Sequence, residues 1–290
     1  MMTRMLQRRM EGINEALERQ GAEFIVTYVS VLKNNQVLEG YNLVSPKKMI
    51  CPVIYFNREW WSDSDDEVAL NLIGLYEERQ VPDIDFSRYE DPEVILSNVY
   101  PRLYGCNNKQ NMDDHDRFYT EYLDMLIGYY VVVDSLTDKE GVASVPLTNE
   151  VIERKGISKE AIRREAIRHL YDDRSISSLV ERIADMLPIE CGIECLKNMK
   201  DTLYVVSNKS GINGAATILS RKVQEEVAEI LGDTYYVLPC SIHEVICCVG
   251  HNVEELRKMV YEANREAVLL EDRLTDSVYQ YKNGILDIVE

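Results

Sequence analysis

The sequence predicts an α+β protein in which a mixed, largely antiparallel sheet, or more than one, is covered by helices. Runs of β-branched and aromatic residues joined by short turns predict hairpins, and apolar residues at helical spacing predict amphipathic helices. The alternation of helices and strands near the C-terminal end would also fit an α/β fold. The length of 290 residues suits one continuous domain or two joined halves. We expect an N-terminal half of residues 1–195 and a C-terminal half of residues 196–290.

The charge balance argues against nucleic acids and membranes as partners. The chain carries 50 acidic and 32 basic residues, which gives a formal net charge of −18. Such a surface repels phosphate backbones and anionic lipids. The most basic segment, residues 154–168, also contains glutamates and is typical of a solvated helix face. We therefore expect no nucleic-acid or membrane partner.

Cysteine usage and hydropathy indicate a cytoplasmic protein. The seven cysteines are an odd number, and the N-terminal segment lacks the apolar block of a signal peptide. Reduced thiols are the rule in a cytoplasm. No apolar run approaches the ~18 residues that a membrane helix needs.

Residues 1–195 are expected to begin with an amphipathic helix at 3–20 and a β-hairpin at 23–44, with Asn34-Asn35 at its turn. Further helices are predicted at the following positions: after the acidic run 62–67, at 92–100, 148–154, 158–171 and 175–187. Further strands are predicted at 49–56, in the second half of 118–134, and at 142–147.

Residues 196–290 are expected to contain strands at 202–207, 234–238 and 242–249, with helices at 215–231 and 252–269. The dipeptide Asn283-Gly284 predicts a final hairpin turn.

Four patterns resemble metal or cofactor sites but are incomplete. The acidic runs 62–67 and 113–116 lack the spacing of a calcium loop or a metal cluster. The Gly-rich loop 208–214 follows a strand and precedes a helix, but it lacks both the P-loop and the dinucleotide fingerprint. Cys191 and Cys195 lack a second pair of ligands. We therefore predict neither a metal nor a cofactor.

The segment Pro239-Cys240-Ser241-Ile242-His243-Glu244 is the main candidate site, because a Cys, a Ser, a His and a Glu fall within five residues. Strand alternation places Ser241 and His243 on one face and Glu244 on the other. A catalytic interpretation would use Cys240 or Ser241 as nucleophile and His243 as base, with Asp276 or Asn208 as the orienting group. A second interpretation is a binding site. The binding candidates are Asn208, Ser241, His243, Glu244 and Asp276. The third is a structural turn.

Four segments resemble an uncharacterised bacterial family, a domain of unknown function that is often carried on mobile elements. The segments are Pro52-Val53-Ile54-Tyr55-Phe56-Asn57, Leu203-Tyr204-Val205-Val206-Ser207-Asn208 followed by Gly214-Ala215-Ala216, Leu238-Pro239-Cys240-Ser241-Ile242-His243-Glu244, and Asp276-Ser277-Val278-Tyr279-Gln280-Tyr281. The family pattern has Ser-Ser before Ile-His-Glu, where this chain has Cys240-Ser241. The resemblance implies a domain from about residue 45 onward and no known activity.

For function, we expect non-enzymatic binding of a small ligand or a protein partner. One alternative is a hydrolase or transferase that uses Cys240 or Ser241 with His243. Another is an oligomeric scaffold that associates through the N-terminal helix.

Overall fold

The computed structural model describes residues 4–48, 50–78, 86–135, 142–186, 202–239, 241–250 and 252–289. The chain forms two compact units, which we call the N-terminal unit (Met1–Arg88) and the C-terminal unit (Tyr89–Glu290). The boundary that we expected near residue 195 falls in 187–201, outside the described residues, as do Cys191 and Cys195. That boundary therefore stays a prediction.

The N-terminal unit is an antiparallel sheet covered by two helices. The strands lie in the order β1-β2-β3. Their bounds are β1 Ile25–Lys33, β2 Gln36–Val44 and β3 Val53–Tyr55, and the helices are α1 Arg4–Arg19 and α2 Asp65–Glu78. The predicted hairpin is confirmed, because Lys33 pairs with Gln36 and Asn35 adopts the left-handed conformation with φ of 62°.

Helix α1 uses its apolar face inside the N-terminal unit. Leu6, Met10, Ile13 and Leu17 are buried in one core cluster with residues of β1 and α2. The helical spacing of the apolar residues in α1 is therefore explained by packing within the N-terminal unit.

The C-terminal unit contains two antiparallel sheets and most of the helices. In the first sheet β4 and β5 flank β6, and β7 also pairs with β6; the second has the order β13-β12-β10-β11-β9-β8. The strands are β4 Val99–Gly105, β5 Tyr119–Tyr122, β6 Met125–Ser135, β7 Val142–Pro146, β8 Arg174–Ser178, β9 Leu203–Asn208, β10 Thr234–Leu238, β11 Val245–Cys248, β12 Tyr279–Lys282 and β13 Ile285–Ile288. The helices are α3 Pro92–Ser97, α4 Lys109–Asp114, α5 Asn149–Lys155, α6 Lys159–Asp172, α7 Leu179–Met186, α8 Arg221–Leu231 and α9 Val253–Glu266.

The α+β prediction is confirmed, and every pairing among the described strands is antiparallel. No helix in the described part of the chain is long and apolar enough to cross a membrane.

Several predicted elements differ from the structure. The segment 175–187 begins as β8, which pairs with β9, and becomes helical only at Leu179. The predicted helix 215–231 is a 3-10 helix over Gly214–Leu219 followed by α8. The strand expected in the second half of 118–134 is confirmed as β6, and β5, which was not predicted, precedes it in a hairpin. The helix expected at 92–100 ends at Ser97 and gives way to β4.

The turn between β5 and β6 is bound to the segment that leads into β12. Leu123 adopts φ of 52° at this turn. Asp124 then accepts hydrogen bonds from the hydroxyls of Thr275 at 2.6 Å, Ser277 at 2.7 Å and Tyr279. Burial and this carboxylate raise the pKa of Tyr279, so the phenol stays protonated and donates. The carboxylate thus joins the two sheets of the C-terminal unit.

Candidate functional site

The turn at residues 241–243 is bound to three neighbouring segments. The hydroxyl of Ser241 accepts a hydrogen bond from the backbone N–H of His243 at 3.0 Å, which is a local turn of the kind serine favours. Ile242 donates its N–H to the carbonyl of Asp272 at 2.7 Å and accepts from Ala215 at 3.1 Å. The hydroxyl of Ser207 donates to the carbonyl of His243 at 2.8 Å. The backbone N–H and carbonyl groups of Ile242 and His243 are therefore all hydrogen-bonded.

Both ring nitrogens of His243 also have partners. Nδ1 accepts a hydrogen bond from the backbone N–H of Asn213 at 3.2 Å, and Nε2 lies 3.1 Å from a carboxylate oxygen of Asp272. Because Nδ1 is an acceptor, the proton of the neutral ring belongs on Nε2, where it donates to Asp272. Among the described residues, no hydrogen bond joins the His243 ring to the Ser241 hydroxyl.

The other residues selected from the sequence have separate partners. Glu244 forms an ion pair with Arg182 of α7. Asp276 accepts from Asn264 at 2.7 Å and pairs with Arg265 at 3.2 Å, both on α9. Cys240 lies outside the described residues. The structure thus brings Ser241 and His243 together, and the carboxylate that faces the His243 ring is Asp272.

Gly214 is needed where the turn meets the loop 208–214. A Cβ added to Gly214 would lie closer than 3.0 Å to the Ser207 hydroxyl, the Asn208 nitrogen and the His243 carbonyl. The neighbouring Asn213 adopts φ of 55°, a left-handed conformation that asparagine tolerates. The pair Asn213-Gly214 therefore lets the loop pass directly over the turn.

Residues of this loop also form a wall of a cleft of about 700 Å³. The cleft lies within the C-terminal unit and is lined by residues of β4, β6 and the end of α6, together with the loop and the 3-10 helix that follows it. The lining residues are Tyr100, Pro101, Arg102, Val132, Leu170, Asp173, Asn208, Lys209, Ser210, Ile212, Asn213 and Thr217. Its size is within the range of small-molecule sites.

Asn208 organises the loop that borders the cleft. Its side-chain amide donates to the carbonyl of Ile212 at 2.9 Å, and its carbonyl oxygen accepts from the Ser210 hydroxyl at 3.1 Å. Asn213 lines the cleft and donates to His243 behind it. His243 and Asn208 therefore both bond residues of the loop 208–214.

The cleft contains one buried hydroxyl without a partner. Thr217 is 0% exposed, and its Oγ1 has no hydrogen-bond partner in the described part of the chain. A buried unbonded hydroxyl is costly for the folded protein. Because Thr217 is 0% exposed, a ligand in the cleft would bond this hydroxyl only after a small movement of the cleft wall.

The pKa values of two groups that line the cleft, the Asp173 carboxyl and the Tyr100 phenol, are raised. Burial raises the pKa of Asp173, and the charge of Lys209 offsets part of this effect. Burial and the nearby carboxylate of Asp173 raise the pKa of Tyr100. The phenol is therefore neutral at physiological pH and can donate a hydrogen bond.

Sequence reasoning missed most of the cleft. Tyr100, Arg102, Asp173 and Thr217 come from elements that are distant along the chain, and none stands in a recognisable motif. Only the Gly-rich loop 208–214 gave a signal, because a strand followed by such a loop is a frequent ligand-binding geometry.

Together, the fold and the site define an antiparallel α+β protein with a cleft beside a His–Asp pair. A model of a family of unknown function, DUF5688, matches residues 4–283. The chain belongs to this family. Comparison with curated proteins and with solved structures found no match.

Proposed function

We propose that the protein binds a small polar ligand, without chemical turnover, in the cleft of about 700 Å³. The observation that carries the proposal is Thr217, whose buried hydroxyl has no partner among the described residues and lines the cleft. Thr217 is 0% exposed, so binding requires a small opening of the cleft wall that exposes its hydroxyl. A ligand that then bonds this hydroxyl would recover part of the free energy that its burial costs.

The engaged His243 ring favours binding over catalysis. A base must accept a proton from its nucleophile, whereas Nδ1 accepts from Asn213 and Nε2 faces Asp272. These contacts support a role for His243 in positioning the cleft loop. The odd number of cysteines, seven, further supports a cytoplasmic protein with reduced thiols. A bacterial origin and an association with mobile elements rest on the family resemblance alone.

The proposal is tested with a panel of small metabolites by thermal denaturation, comparing the natural protein with Thr217→Val. We expect some compounds to raise the melting temperature of the natural protein, as ligands of the folded state do. For these compounds, loss of one hydrogen bond should weaken binding about fivefold to tenfold in Thr217→Val.

Thr148→Val provides a matched control, because Thr148 caps α5 and is not among the cleft residues. The proposal fails if no compound shifts the natural protein, or if Thr217→Val and Thr148→Val bind the active compounds as tightly as the natural protein does.

A further inference from the structure

Two cationic side chains, Arg102 and Lys209, line the same cleft and have no ion-pair partner among the described residues. In the described part of the chain, no carboxylate lies within 4.0 Å of either group. Within the described residues, these two charges therefore remain open to an anion from solution.

Neutral groups hold both cations in place. Arg102 donates from Nη2 to the Ser144 hydroxyl at 2.5 Å, and its guanidinium lies 4.1 Å from the centre of the Tyr130 ring. Lys209 donates from Nζ to the backbone carbonyl of Asp172 at 2.9 Å. A guanidinium has five N–H donors and an ammonium has three, so both groups keep donors beyond these contacts. The contacts fix the head groups without neutralising them.

Asp173 is the acidic side chain of the cleft, and it does not cancel both positive charges. Two cations against one carboxylate leave the lining with a positive balance. The remaining polar groups are neutral and can bond the uncharged part of a ligand. They include the Thr217 hydroxyl, which has no partner within the described chain.

We infer that the ligand is a small organic anion whose phosphate or carboxylate group binds between Arg102 and Lys209. This inference rests on the proposed function and names the ligand class of the same cleft. Arginine and lysine are the side chains that bind such oxyanions. The net charge of −18 repels a polyanion such as a nucleic acid but affects a small anion much less. The cleft is also larger than a single inorganic ion requires.

The test uses charged and neutral probes of similar shape on the full chain. Glucose 6-phosphate is compared with glucose, and succinate with succinamide, by ligand-detected NMR and calorimetry at low salt. We expect the charged member of at least one pair to bind at least tenfold more tightly than its neutral counterpart, and this binding to weaken as salt increases.

Substitutions then locate the anion. Lys209→Gln and Arg102→Gln should each weaken the binding about tenfold, because each removes a charge-assisted hydrogen bond. Lys282→Gln removes one positive charge at an exposed position outside the cleft lining and should have little effect. If Arg102→Gln fails to fold, Arg102→Lys, which keeps the positive charge, is used in its place. Asp173→Asn removes the negative charge from the cleft and should strengthen anion binding.

The outcomes separate the two proposals. If neutral and charged probes bind equally, and Thr217→Val weakens both, the anion inference is overturned while the proposed function stands. Equal weakening in Lys209→Gln and Lys282→Gln would show a general charge effect and would also overturn the inference. If no probe binds, the anion inference is overturned, and the metabolite panel decides the proposed function independently.

Discussion

At the scale of single residues, the buried hydroxyl of Thr217 should lower the stability of the ligand-free protein. Removing an unbonded buried hydroxyl while keeping the shape of the side chain relieves a desolvation cost. Thr217→Val should therefore raise the free energy of unfolding by about 1 kcal/mol. Thr148→Val should lower it by about 1 kcal/mol, because the Thr148 hydroxyl accepts from Val151 at the start of α5. Urea denaturation of the three proteins measures both changes, and a less stable Thr217→Val would contradict the prediction.

Two aspartates of the C-terminal unit should affect stability with opposite dependence on pH. Burial alone would raise the pKa of Asp276, but hydrogen bonds from Asn264 and Arg265 outweigh it and lower the pKa. Its stabilising contribution is therefore present above the unfolded pKa of about 3.9 and is lost as pH falls through the lower folded pKa. Burial raises the pKa of Asp173, so its charged form destabilises the protein above that pKa and ceases to do so in acid.

Accordingly, at neutral pH we expect Asp276→Asn to lower stability and Asp173→Asn to raise it. Each change should be under about 1 kcal/mol, because solvent screens partly exposed carboxylates. Denaturation between pH 3 and pH 7 should show both differences shrinking in acid. Stability differences that stay constant between pH 3 and pH 7 would contradict the pKa shifts assigned to Asp276 and Asp173.

Residue-scale reasoning was limited to residues that are close in sequence. The segment 239–244 was selected because a Cys, a Ser, a His and a Glu fall within five residues. The strand expected at 242–249 begins only at Val245, so Ser241 and His243 lie in a turn and not on a strand face. Asp272 could not be chosen, because a segment 29 residues away must fold back before it meets the His243 ring. Arg102 was missed for a similar reason, since β4 was not predicted.

At the scale of elements, the close approach of the loop 208–214 to the turn 241–243 depends on Gly214. Gly214→Ala should lower the free energy of unfolding by about 1–3 kcal/mol, because the new Cβ would press on the backbone of Asn208 and His243. It should also weaken binding in the cleft that this loop borders.

Gly74 provides the contrasting variant. It lies exposed within α2, and a Cβ there would meet nothing within 4 Å. Gly74→Ala should raise stability by up to about 1 kcal/mol, since alanine favours helix more than glycine does. Thermal denaturation compares the two variants. An equal loss of stability in Gly214→Ala and Gly74→Ala would contradict the role of the close backbone approach at Gly214.

Element prediction failed where tertiary contacts override local preference. The segment 175–187 has helical periodicity, but the backbone of Ser175 to Ser178 pairs with β9 instead. The helix expected from residue 215 begins as a 3-10 helix, because its first residues pack on the end of β9 and bond to Ile242. Hairpins with short turns, such as β1-β2, were predicted correctly because the turn residues determine the pairing locally.

At the scale of the whole molecule, each unit has its own apolar core. One cluster draws only on residues between Leu6 and Leu72 of the N-terminal unit. Another joins residues from Ile95 to Leu286 of the C-terminal unit, including strands of both its sheets. A core of its own is what allows a unit to fold alone.

We therefore expect a fragment of residues 86–290 to fold cooperatively, with a sharp thermal transition and dispersed NMR signals. A fragment of residues 196–290, which follows the boundary expected from the sequence, should remain unfolded. It lacks β8, the pairing partner of β9, and also the core residues contributed by β4 and α6. Cooperative folding of the shorter fragment would support the sequence-based boundary instead.

The order of strands in the six-stranded sheet has a consequence for protein synthesis. Strand β10 pairs with β11 on one side and with β12 on the other, and β12 follows β10 by about forty residues along the chain. Between the emergence of β10 from the ribosome and that of β12, the outer edge of β10 has no strand to cover it. An open edge is a site of misassembly with other nascent chains. Ribosomes that pause in this interval should therefore lower the yield of folded protein, even though the amino-acid sequence is unchanged.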